Sequence, residues 1–147
     1  MNEIFLDLLR LKTRGYCCSQ IMVVLALEAQ GKSNPDLVRS MGGLCFGINW
    51  SGETCGALLG GAAILGLYGG KGRDEEVPDS DYPLMMTELV DWFGETADMA
   101  YGGRRCSEIL EKSPDHSMCA RIVVDIYGKC REILMRSGFD PALGRKG

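Results

Sequence analysis

The stretch Cys55-Gly56-Ala57-Leu58-Leu59-Gly60-Gly61-Ala62-Ala63-Ile64-Leu65-Gly66-Leu67-Tyr68 decides the fold. It has no period-two strand pattern and reads as a helix over about 53–68, with Ser51 as its cap and Glu53 in its first turn. Its glycines, at 56, 60, 61 and 66, cost roughly 1 kcal/mol each relative to alanine. Close packing of a small-residue face against neighbouring helices would offset that cost. The same smallness would let backbone approach a cofactor at the Cys55 end, with Gly56 and Gly60 as the binding positions. The stretch is 14 residues long, whereas a bilayer span needs about 20.

Helical periodicity continues on both sides. Ile4, Leu8 and Leu11 form a stripe on a helix over 2–13, broken at Gly15. Ile21, Val24, Leu25 and Leu27 mark a second helix over 16–30. Asn34-Pro35-Asp36 has the cap, proline and acid of a third helix start, running to Cys45. The segment 69–81 is charged and reads as a solvated loop, including Asp74-Glu75-Glu76. A fifth helix spans 82–101, with Met85, Leu89, Trp92 and Phe93 inward and Met85-Met86 as core filler. Ser113-Pro114-Asp115 starts a sixth, which runs to Arg136. The expected fold is an all-α bundle of about six helices in one domain over 1–147. Its glycine-rich helix is central, its core spans about 2–136, and a short C-terminal tail follows.

Composition narrows the function classes. The chain has 147 residues, 16 basic and 20 acidic, for a net charge of −4. No cationic surplus exists for nucleic acid. The N-terminus shows no basic region ahead of an apolar stretch, so no secretory signal is expected. Seven cysteines without an export signal point to a reducing, cytoplasmic setting and to metal or redox chemistry. The single histidine, His116, makes a Ser-His-Asp site improbable and reads as a surface residue. The Gly42–Gly52 loop has the glycines to cradle an anion. It matches no nucleotide-binding pattern and follows a helix rather than a strand.

The cysteines are Cys17, Cys18, Cys45, Cys55, Cys106, Cys119 and Cys130. No C-x-x-C pair exists, so a shared site must be assembled from several helices. In an up-and-down bundle, alternate helices start at one end. That parity gathers every cysteine but Cys130 there. Helix N-termini favour thiolates, and Arg104 and Arg105 beside Cys106 would add to this. Cys130 follows Cys119 by 11 residues, about 16 Å along a helix. It falls in the stripe Ile122, Ile126, Cys130, Ile133 and reads as a core residue.

The CGAxxG string at Cys55–Gly60, the Gly15-Tyr16-Cys17-Cys18-Ser19-Gln20 helix start and the later cysteines resemble the C_GCAxxG_C_C family. The resemblance runs from about Gly15 to Cys119 or beyond and implies redox activity. The family's first cysteine matches Cys18 and its motif cysteine Cys55. Its later two match Cys106 and Cys119, or alternatively Cys119 and Cys130. Cys17, Cys45 and Cys130 are additions, with Cys45 a possible fifth ligand.

Cys18, Cys55, Cys106 and Cys119 are therefore expected to converge as a redox centre. One form is an iron–sulfur cluster or other thiolate-bound metal, in electron transfer or an accessory role with an unidentified redox partner protein. Another is dithiol–disulfide exchange. A third reading is a non-redox helical interaction module with structural cysteines, with homodimerisation as one use of the glycine-rich helix.

Overall fold

The computed structural model describes residues 2–146. The chain forms helices α1 (Asn2–Thr13), α2 (Cys18–Ala29), α3 (Pro35–Met41), α4 (Gly56–Gly69), α5 (Tyr82–Thr96), α6 (Cys106–Lys112) and α7 (Ser117–Arg136). It is all-α, with no strand among the described residues.

The glycine-rich helix is central. α4 packs against α2, α5 and α7, and the missing side chains make that possible. A Cβ on Gly60 would lie 2.7 Å from Met22 Cβ, and one on Gly61 would lie 2.6 Å from Ile126 Cγ2. These glycines bring the α2 and α7 backbones close, so dispersion contacts offset their poor helix propensity. Around them lies a core of Leu8 and Leu11 from α1, Ile21 and Met22 from α2, Ile64, Leu65 and Tyr68 from α4, and Ile122, Ile126 and Ile133 from α7. From α5, Met85, Leu89 and Phe93 are buried as expected, and Trp92 is half-buried.

The Asn34 cap is present, its side-chain oxygen accepting the Leu37 N–H at 3.1 Å. The third helix ends earlier than Cys45, at Met41, and a single 3-10 turn covers Gly42–Leu44. The Ser51 cap is not made. Cys55 holds the cap position of α4, because residues 53–55 are held extended beside 104–106. The sixth helix also starts later, at Ser117. Ser113 Oγ accepts the Met118 N–H and Asp115 accepts the Ser117 N–H, so Ser113-Pro114-Asp115 forms a turn ahead of the helix. α6 is an additional helix, its start fastened by Glu108, which accepts the Arg105 N–H at 3.0 Å. α5 continues into a π-turn over Ala97–Tyr101, which ends at left-handed Gly102.

Candidate thiol site

The site begins with an unusual backbone. Phe46, Gly47, Ile48, Asn49 and Trp50 all have φ between +54° and +66°. They form a left-handed turn. Such a conformation costs about 1–2 kcal/mol per non-glycine residue, and β-branched Ile48 is especially ill-suited to it. Gly47 lets it form, since a Cβ there would lie 2.6 Å from Cys106 Cβ and 2.8 Å from the Glu53 nitrogen. Hydrogen bonds from Trp50 N–H to Phe46 O (2.9 Å) and Glu53 N–H to Gly47 O (3.1 Å) close it. The Phe46 and Trp50 rings stack with centroids 4.1 Å apart.

A short backbone pairing then brings distant cysteines together. Thr54 and Arg105 form an isolated antiparallel bridge. The Cys106 N–H donates to Glu53 O at 2.7 Å, and the Cys55 N–H to Arg104 O at 3.4 Å. Cys55 and Cys106 thus leave this bridge at its two ends, each at the start of its helix. Cys18 opens α2 and Cys119 lies in the first turn of α7.

Cys18, Cys55, Cys106 and Cys119 line one cavity of about 410 Å³, joined by Cys17. Leu8, Ile21, Ala57, Ile109 and Val123 form much of its wall, and Phe46, Trp50 and His116 stand at its side. Gly56 lines it too, and a Cβ there would lie 2.8 Å from Cys18 Sγ. Gly60 lies off the cavity, against Met22. Cys45 also lies off the wall, because its sulfur pairs with Cys17 in a disulfide spanning 6.0 Å between Cα atoms. Ser19 Oγ adjoins the Cys45 sulfur at 3.1 Å and donates to Met41 O at 2.8 Å. Cys130 is buried in the core and donates to Gly61 O at 3.5 Å. His116 differs from the expected surface residue. It is half-buried, and its ring meets Trp50 and Phe46 edge-on at 5.9 and 6.5 Å.

The thiols are less acidic than their helix starts suggest. Burial, then Cys18 and Cys119 as neighbours, pushes Cys55 up to about 12. Burial, then Cys18 and Cys106, pushes Cys119 up to about 11. Cys18 and Cys106 are raised by burial as well. Backbone N–H groups do oppose this, from Phe46 in the left-handed turn and Ser19 in α2 at Cys18, and from Ala57 and Leu58 in α4 at Cys55. Desolvation outweighs them. Arg104 faces Asp98 at 3.8 Å and is largely exposed, so it brings no compensating charge to Cys106.

The donor set suits some groups better than others. Among the described residues, no three His, Cys, Asp or Glu side chains stand close enough to hold one metal ion. The four cysteines instead line one cavity, with backbone N–H groups directed at Cys18 and Cys55. Thiols are the donor type an iron–sulfur cluster would take, and these N–H groups would hydrogen-bond to sulfur there.

Sequence reasoning missed the stacked pair Phe46 and Trp50. The only sequence signal nearby was the density of glycines from Gly42 to Gly52, which marks unusual backbone without specifying a left-handed turn. The Cys17–Cys45 pairing had no signal, since its partners are 28 residues apart.

These features define an all-α protein with a cysteine-lined cavity built from several helix starts. The chain belongs to the C_GCAxxG_C_C family, described as "putative redox-active protein", whose model matches residues 16–133. No curated protein and no solved structure matches the chain.

Proposed function

We propose that this chain is an electron-transfer or accessory protein that holds an iron–sulfur cluster on Cys18, Cys55, Cys106 and Cys119. The observation that carries this reading is their meeting on one cavity, from the starts of α2, α4, α6 and α7. When bound, such a cluster supplies one-electron transfer at a potential set by burial and by hydrogen bonds to its sulfurs. The chain's own part is to exclude water with Leu8, Ile21, Ile109 and Val123, and to direct N–H groups at Cys18 and Cys55. Neutral thiols in this wall must lose protons on ligation, so binding tightens as pH rises. A redox partner protein would dock beside Trp50, the most exposed of the aromatic side chains at the cavity.

The test is anaerobic purification followed by a visible spectrum and by iron and sulfide analysis. A brown protein bleached by dithionite is expected. Cys55→Ser should lose iron and colour, while Cys130→Ser keeps both. A colourless protein that stays colourless after reconstitution with iron and sulfide overturns the reading.

A second reading draws on the Cys17–Cys45 disulfide, whose Cys17 shares the cavity with the four free thiols. In dithiol–disulfide exchange, reduction of this pair takes two electrons and two protons from a partner dithiol, which becomes a disulfide. Metal-free protein in which Cys17 and Cys45 cycle with a dithiol reductant, as read by mass spectrometry of alkylated thiols, would favour it.

A further inference from the structure

A cleft of about 450 Å³ lies between α1, α2 and α3, walled off from the thiol cavity by Tyr16. Its volume is within the range of small-molecule sites, roughly 300–1,000 Å³. Leu11, Val24 and Val38 give it an apolar floor. Its rim carries Arg10, Arg14, Lys32 and Arg39 against one carboxylate, Glu28. The lining is thus net +3 in a chain of net −4.

The pairing of these charges shows which are available. Arg10 holds Glu28 at 2.7 Å, which neutralises the cleft's carboxylate. Arg39 is engaged by Asp36 at 2.9 Å. Arg14 and Lys32 have no carboxylate partner among the described residues. A concave surface with two unpaired cations focuses field and attracts anions.

We propose that this cleft binds a small organic phosphate, with the phosphate at Arg14 and Lys32 and the apolar part over Leu11, Val24 and Val38. An inorganic anion would leave the apolar floor unused. The inference is independent of any cluster in the thiol cavity.

The test is an NMR titration of full-length protein at low salt, with adenosine 5′-diphosphate, inorganic pyrophosphate and adenosine as separate probes. Adenosine 5′-diphosphate should give saturable shifts in the amides of Arg14, Lys32 and Val38, weakened by added salt. Pyrophosphate should bind more weakly, and adenosine weakest. The double variant R14A/K32A, changed only at exposed positions, should keep its spectrum outside the cleft. It should bind the diphosphate at least roughly tenfold more weakly, since charge-assisted hydrogen bonds carry the contact. The proposal is overturned by no saturable shift at millimolar diphosphate, by affinity unchanged in R14A/K32A, or by pyrophosphate binding as tightly as the nucleotide.

Discussion

Cys119 and Cys130 sit on one face of α7, about 16 Å apart along its axis, and their surroundings are opposite. Burial raises both, Cys119 to about 11 and Cys130 to about 12. Cys130 is sealed in the core against the Gly61 carbonyl. Cys119 faces a cavity shared with three other free thiols. The difference traces to the glycines of α4. At Gly61 the space of a missing Cβ is taken by Ile126, and at Gly56 by the Cys18 sulfur. The same helix therefore packs hydrocarbon near its middle and meets a cavity sulfur at its start. A cysteine's chemistry here is set by what the neighbouring helix brings to it, more than by its place on its own helix.

The largest break in this comparison should come at the hydrocarbon contact. Gly61→Leu forces a branched side chain into Ile126, Leu89 and Cys130. Overpacking of this kind costs about 1–3 kcal/mol and more when backbone must move, so a loss of about 3 kcal/mol or more is expected. Urea unfolding measures it, and a wild-type midpoint would show that the glycine does not set the packing. Gly56→Ala sharpens the contrast. Its Cβ would press on Cys18 Sγ and on Leu44 O at 2.9 Å. It should change how fast Cys18 reacts with a thiol reagent, which a modest Gly61→Ala change should not.

Next in size is Gly47→Ala. Left-handed backbone and overlap with Cys106 and Glu53 together should cost about 2–4 kcal/mol. The same variant should perturb the Thr54–Arg105 pairing, seen as altered thiol reactivity at Cys55 and Cys106. Unchanged stability would mean that the left-handed turn is not maintained in solution.

The helices and the thiol site were unequally legible from sequence. α1 and the Asn34 cap follow from apolar spacing and local side-chain chemistry, and the structure has both. Helix order accounts for only part of the cysteine placement, since α6 and α7 are successive and both start at the cavity, and Cys45 lies off its wall. Beyond the aromatic stack and the Cys17–Cys45 pairing, three things were not legible. α6 was hidden because only seven residues with one buried side chain, Ile109, leave little periodicity. The Ser51 cap failed because a long-range pairing, Thr54 with Arg105, overrode a local preference. Thiol acidity was misjudged because helix N-termini are visible in sequence whereas desolvation depends on the finished fold.

That last point yields a pH prediction for metal-free protein. A thiol raised in the folded state is stabilising while protonated. Its share is whole below the ordinary thiol value near 9 and is lost as pH rises toward about 11 at Cys119 and about 12 at Cys55. The denaturant midpoint should fall progressively from pH 9 to pH 11. In Cys119→Ala the fall should be shallower, because one group with a raised value is gone. A midpoint flat across that window would show that the thiols already lie in a wet site.

The smallest expected effect tests the turn itself. Trp50 is 60% exposed, so its removal loses little burial. What it loses is the stack on Phe46, worth about 0.5–1.5 kcal/mol for an aromatic pair. Trp50→Ala keeps the left-handed φ of +66° with its Cβ penalty and should be destabilised by about that amount. Trp50→Gly loses the same stack but adopts that φ freely, recovering about 1 kcal/mol. Glycine at position 50 should therefore be tolerated better than alanine, the reverse of the usual order. Equal midpoints for the two would mean that position 50 carries no backbone strain. The turn would then owe its shape to Gly47 and to the hydrogen bonds around it, and the aromatic stack would follow from that shape without holding it.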